Sequence, residues 1–155
     1  MFYILLQIKD EHMKKYRLLK NDTQDWLGHT LFRIQAKVAF GLVEKGEKGG
    51  YIEKEDNLDV SGDAWVYGNA WVSGNARVSG NARVYGDAWV YGNARVSGNA
   101  CVSGDARVYG DVWVSGNAWV SGRFDVSVNC DFDMKRIMID TDAKMQKLKK
   151  FLDTF

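Results

Sequence analysis

Proline is absent from the 155 residues, so no turn or linker here depends on its ring. Cysteine occurs only twice, as Cys101 and Cys130, with no CxxC pair and no Cys/His cluster. That excludes a disulfide-stapled secreted scaffold and a structural zinc site. Histidine also occurs twice, as His12 and His29. Charge of one sign is lacking: the formal net charge is +1. A balance this even gives no global attraction to nucleic acid or to an anionic membrane. No apolar run approaches the roughly 20 residues of a membrane helix. The apolar Phe2-Tyr3-Ile4-Leu5-Leu6 is short, lacks a basic flank and is followed by Lys9-Asp10-Glu11, unlike a signal peptide. The expectation is a cytoplasmic protein without a membrane partner. The phosphate-binding loop, nucleophile elbow and zinc-deaminase patterns are missing too.

Glycine is present in abundance and in order. From Gly62 to Gly122 it recurs at every sixth position. From Val60 the chain reads VSGDAW, VYGNAW, VSGNAR, VSGNAR, VYGDAW, VYGNAR, VSGNAC, VSGDAR, VYGDVW, VSGNAW, and it decays through VSGRFD and VSVNCD. Within a hexad, Ala-Xaa-Val-Ser/Tyr alternates as a strand does, with Ala and Val on one side and the other two on the opposite side. Gly-Asn or Gly-Asp then turns the chain, because both tolerate positive φ. A unit this short leaves no room for a crossover helix. Stacked coils of three hexads each, about 4.8 Å apart, satisfy the pattern. Val and Ala fill the inside. Gly50, Ile52 and Leu58 fall in the same register and read as an imperfect first coil.

These hexads resemble those of the bacterial transferase hexapeptide-repeat superfamily. The resemblance implies an all-β fold, a left-handed parallel β-helix of triangular section with about four coils. The G-N/D-A-R/W-V-S/Y variant, preceded by a short module ending in Gly49-Gly50-Tyr51-Ile52-Glu53, is similar to a phage and gut-bacterial subgroup. The superfamily's acyltransferases use a catalytic His and its carbonic anhydrases use His ligands. No His lies within the repeats here, so no catalytic residue, metal site or cofactor carries over. Asp at the corners interchanges with Asn, which is turn chemistry. Ice binding wants a threonine array, and the repeats hold no Thr.

The expected organisation is a capping β module over residues 1–50, the solenoid over 51–131 and a C-terminal strand and helix over 132–155. Phe32, Ile34, Ala36, Val38 and Phe40 alternate with polar residues as one strand, and Lys15 to Lys20 reads as a weaker one. Asn21-Asp22 and Gly28 mark their connection, and Gly41, Gly46, Gly49 and Gly50 the exit. Residues 1–12 read as an extension. A longer strand, Phe124 to Met134, is expected to leave the prism. A helix then starts at Asp140 or Thr141, with Met145, Leu148, Phe151, Leu152 and Phe155 as cap or oligomer contacts.

Stacking aligns the outward residues into ladders. The expected groups are Trp65, Arg83, Cys101 and Trp119 with the Ser61 to Ser115 series; Trp71, Trp89 and Arg107 with Tyr67 and Tyr85; and Arg77, Arg95 and Trp113 with Tyr91 and Tyr109. Exposed Trp, Tyr and Arg dominate binding hot spots. In a solenoid they also stack on one another and stiffen the coil. The expected function is a non-catalytic interaction protein that binds a protein partner through such a face. In its concrete form it is a phage-encoded inhibitor of a host defence protein. A transferase with an unrecognised site and a self-associating coil, trimer or dimer, are the alternatives. Nucleic acid is disfavoured as a partner because Arg and Asp nearly balance along the repeats.

Overall fold

A computed structural model describes residues 3–4, 14–122, 125–126 and 131–132. Three strands open the chain: β1 (Tyr16–Trp26), β2 (His29–Ala36) and β3 (Lys48–Ile52), with a 3-10 turn at Glu55–Asn57. The repeats follow as β4 (Trp65–Val66), β5 (Trp71–Val72), β6 (Arg77–Val78), β7 (Arg83–Val84), β8 (Trp89–Val90) and β9 (Arg95–Val96). Then come β10 (Cys101–Ser103), β11 (Arg107–Val108), β12 (Trp113–Val114), β13 (Trp119–Ser121), β14 (Asp125–Val126) and β15 (Asp131–Phe132). Every repeat strand pairs in parallel with the strand one coil away, as in Trp71↔Trp89 and Arg77↔Arg95. The chain therefore winds into an all-β parallel solenoid of about four turns. Its sides are β4-β7-β10-β13, β6-β9-β12-β15, and β3-β5-β8-β11-β14, the last extended by β2 and β1.

The hexad explains the winding. Ala64 through Ala106 and Val66 through Val114 point inward and are buried. Each buried Val contributes about 1.5–3 kcal/mol, so the column is held by many similar terms. Val112 replaces Ala in one hexad and is still accommodated, fully buried. At the corners the glycines take positive φ, +73° at Gly86 for example. Corner amides form their own ladders: Asn81 Nδ2 donates to Asn99 Oδ1 at 3.2 Å, and Asn99 Nδ2 to Asn117 Oδ1 at 3.3 Å.

The first coil is displaced by two residues from the expected register: Tyr51↔Trp71, Ile52↔Val72 and a bridge from Leu58 to Val78 set Ile52 and Leu58 opposite Val, where an 18-residue step sets them opposite Ala70 and Ala76. Asn57 is buried there with its amide satisfied: it donates to Ala76 O and Gly74 O and accepts from the Lys54 N–H. β3 runs across the expected boundary between residues 50 and 51, joining hairpin and solenoid in one sheet. Gly49 and Gly50 lie inside this strand, not in an exit loop. A Cβ on Gly49 would stand 2.5 Å from Val66 O, and one on Gly50 2.5 Å from Ala70 O.

The β1–β2 hairpin covers the open end of that coil. Tyr16 is buried with its hydroxyl 2.8 Å from Leu58 O, and burial pushes that phenol far above its usual pKa. Lys15 Nζ donates to Gly62 O at 3.0 Å and to Ala64 O at 2.9 Å. Two strand expectations change. β1 continues to Trp26 through a bulge between Leu19 and Thr23, so Asn21-Asp22 lie within it and Leu27-Gly28 forms the turn. β2 stops at Ala36, leaving Val38 half exposed while Phe40 turns in against Trp65. At the other end, Asp125 and Asp131 keep the coil register opposite Arg107 and Trp113. Those rungs stay on the prism, where a departing strand was expected. The helix carrying Met145, Leu148, Phe151, Leu152 and Phe155, and the extension over residues 1–12 apart from Tyr3 and Ile4, lie outside the described residues.

Candidate functional site

Each side of the prism displays two outward ranks, and the strands decide which residues share them. The residue before Val and the one after it sit two apart on the same strand, hence on the same face. Tyr91 and Tyr109 therefore belong with Trp89 and Arg107, not with Arg95 and Trp113. Tyr67 and Tyr85 likewise lie on the strands that carry Trp65 and Arg83, not with Trp71 and Trp89. Grouping by hexad put the corner in the middle of each face; grouping by strand corrects it.

The β5-β8-β11 side is aromatic and closed on itself. Trp71 and Trp89 stack with centroids 4.8 Å apart, and Arg107 lies 4.9 Å above the Trp89 ring. Tyr91 and Tyr109 stack at 4.9 Å. Trp26, from the hairpin tip, meets Trp89 at 5.4 Å, Tyr91 at 5.7 Å and Trp71 at 6.4 Å, all edge-on. The tip is tethered by His29 Nδ1, 2.7 Å from Glu53 Oε1, while Glu53 Oε2 accepts the Gly74 N–H at 2.6 Å. Partial burial raises the Glu53 carboxyl, but these bonds outweigh it and hold the group below its usual value. Above this stack Tyr51 is covered by Arg33, whose guanidinium lies 4.3 Å from the ring.

The β4-β7-β10-β13 side departs most from expectation. Trp65 was expected on display and is fully buried, between Tyr16 at 6.1 Å and Phe40 at 5.3 Å. The cap, which the hexad pattern does not describe, closes over it. Below it, Arg83 is exposed, Cys101, Tyr67 and Tyr85 are half buried, and Trp119 Nε1 donates to Ser103 Oγ at 3.3 Å. Burial pushes the Cys101 thiol upward, away from thiolate chemistry.

The β6-β9-β12 side is the open one. One ladder runs Arg77, Arg95, Trp113, and Asp59, set opposite Ser79 by the Leu58–Val78 bridge, reaches Arg77 from the first coil. Arg77 Nη2 lies 3.3 Å from Asp59 Oδ2, and the Arg95 guanidinium lies 5.2 Å from the Trp113 ring centre. Trp113 is 49% exposed, the highest of the described large repeat aromatics. Ser79 and Ser97 follow the arginines on their strands. Lys54 and Asp56 rise beside them, and together they line an open groove of about 710 Å³. Partial burial raises the Asp59 carboxyl, but the Ser61 N–H and hydroxyl and the Arg77 charge more than reverse this. Asp59 was legible in the sequence 18 residues before Arg77, although the shifted first coil sets it opposite Ser79. Trp26 was not, since nothing in the hairpin's own pattern says where its tip lands.

Among the described residues no group of three or more His, Cys, Asp or Glu is placed to hold a metal. None of their helices is long and apolar enough to cross a membrane. The family model for the YdcK beta-solenoid repeat matches residues 76–92, 88–104, 100–116 and 106–122. The chain is a β-solenoid repeat protein. The matched stretches hold the β6 to β13 rungs, including Arg77, Arg95 and Trp113, but neither the cap nor the first coil. No curated protein matches the chain.

Proposed function

We propose that the protein is a non-catalytic interaction protein and that the β6-β9-β12 side is the face that meets a protein partner. One observation carries the choice: Trp113 and Arg95 stand exposed in an open groove, while Trp71, Trp89 and Tyr91 are covered by Trp26 and Trp65 is buried. An Arg held on an indole is an ordered, low-entropy contact surface, the kind that forms hot spots. The solenoid behind it is rigid, so a partner would meet a preformed surface. A partner from a bacterial host, inhibited by a phage protein, is the concrete form of this reading. Its support is the sequence resemblance.

Affinity capture of the tagged protein from its natural host tests the proposal. A single protein partner is expected with the parent chain and with Trp71→Ala/Trp89→Ala, and is expected to be lost with Arg95→Ala/Trp113→Ala. Thermal stabilisation by an acyl-CoA or a nucleotide sugar would replace this reading with a transferase. A homo-oligomer that only Arg95→Ala/Trp113→Ala dissolves would replace it with self-association.

A further inference from the structure

Along the described rungs, the residue before Val meets a neighbour of opposite charge or an apolar or aromatic side chain, with one exception. Arg83 lies between Trp65 and Cys101, and Arg107 between Trp89 and Asp125. Arg77 and Arg95 alone stack like charge on like charge, one rung apart. Cross-strand like charges oppose folding. Asp59 compensates Arg77 from above. Arg95 has only the Trp113 ring below it and no carboxylate within ion-pair distance among the described residues. The uncompensated guanidinium opens into the groove, beside the hydroxyls of Ser79 and Ser97 and the Lys54 ammonium.

We infer that the Arg77–Arg95 rung pair is a carboxylate-binding site, and that the partner docks an acidic peptide segment in this groove; the inference rests on the proposed protein-binding role. Two forked donors about one rung apart, roughly 4.8 Å, let one carboxylate accept from both. Asp56 and Asp59 also line the groove. Their charge disfavours a dianion such as phosphate and tolerates a single carboxylate. The groove spans the rungs of Arg77, Arg95 and Trp113, a length that suits an extended chain. The exposed edge of Trp113 offers apolar contact to a neighbouring side chain.

The test uses the full chain and a blocked peptide of alternating Glu and Ala with one central Phe. The same peptide with Gln for Glu, and inorganic phosphate, are the controls. The Glu peptide is expected to shift the Arg95 and Arg77 Nε–H resonances and to bind more weakly as salt rises from about 50 to about 300 mM. Arg95→Gln is expected to lose about tenfold in affinity, while Arg83→Gln, on another side, keeps it. Both variants should retain the parent's circular dichroism spectrum. Equal binding of the Gln peptide, unchanged binding by Arg95→Gln, or a response to phosphate in place of the Glu peptide would overturn the inference. Because the probe is synthetic, a failed host capture with intact peptide binding sinks the protein-partner reading and leaves the carboxylate site standing.

Discussion

Trp71 and Trp89, one coil apart, lie with ring planes 3° from parallel, and Trp26 crosses their edges at about 70°. The repeat supplies the stack and the hairpin supplies the crossing ring. Together they pin a β-turn to the side of a solenoid whose own hydrogen bonds run elsewhere. Leu27, in that turn, holds φ at +46° and is 79% exposed. A branched side chain in that conformation costs energy, so the tip stays in place because Trp26 and His29 anchor it.

Trp26→Ala should therefore release the tip without unwinding the coil. Edge-to-face pairs are worth about 0.5–1.5 kcal/mol beyond their buried area. Amide exchange is expected to accelerate across residues 24–30 and to stay slow from β7 to β12. Uniform acceleration along the coils would show that the hairpin and the repeats unfold as one unit.

Ala100 and Asn99 are adjacent and do opposite jobs. Ala100 is fully buried in the narrow core, while Asn99 sits on an exposed corner with one side-chain hydrogen bond to each neighbouring coil. Ala100→Leu overpacks the column, at about 1–3 kcal/mol. Asn99→Ala loses solvent-exposed bonds that are each worth about 1 kcal/mol or less. The Leu variant should melt at the lower temperature. Equal melting temperatures would contradict the inward placement of Ala.

The solenoid was legible because its information is local and repeated. Each hexad states its own inside, outside and corner, and the parallel register follows from the period alone. The first coil departs from that period: Ile52 and Leu58 pair with Val72 and Val78, 20 residues on, where counting back 18 sets them opposite Ala70 and Ala76. The functional faces were less legible, for two physical reasons. A face is defined by strand alternation across a rung, so Tyr91 had to be grouped with Trp89, two residues earlier, rather than with the hexad it begins. Exposure, in turn, depends on what covers a rung. Trp65 and Trp71 occupy equivalent hexad positions, yet Tyr16 and Phe40 bury the first and Trp26 shields the second. Those three rings come from the cap, whose docking is a long-range event that no six-residue window contains.

Gly68 and Gly86 separate two costs that usually arrive together. Both occupy corners with positive φ, +58° and +73°. A Cβ at Gly68 would meet nothing closer than Gly86 O at 3.8 Å, whereas one at Gly86 would stand 3.0 Å from Gly104 N. Gly68→Ala should cost only the backbone strain, about 1–2 kcal/mol. Gly86→Ala should cost more, because the backbone of the next coil must move. Denaturant midpoints in the reverse order would show that the coils give way more easily than their spacing suggests.

Acid should weaken the cap and the first coil. Glu53 and Asp59 both titrate below their usual values of 4.5 and 3.8 in the folded chain. A depressed carboxylate contributes stability that is complete above its unfolded pKa and disappears as pH falls through its folded pKa. Stability is thus expected to hold near neutrality and to decline below about pH 4.5. Glu53→Gln should flatten part of that decline, since Gln cannot titrate. Urea midpoints measured from about pH 6 to about pH 3 would show it. An identical acid limb in parent and variant would assign the loss to other groups.

Trp65 is the hinge between repeat and cap, and its substitution gives the sharpest contrast. It is the largest fully buried side chain, and its indole N–H meets no hydrogen-bond acceptor among the described residues. An unsatisfied buried donor costs about 1–3 kcal/mol. Trp65→Phe removes that cost while leaving a smaller ring against Tyr16 and Phe40, so the two effects offset and little net change is expected. Trp65→Ala removes the whole wedge beneath the cap and should cost about 3–5 kcal/mol. The loss should be local: Lys15 would no longer be held over Gly62 and Ala64, and protease should cut within residues 14–47 while the β7–β13 coils remain intact. If Trp65→Ala instead melted the entire chain in one step, the cap would have to be counted as part of the solenoid's own cooperative core.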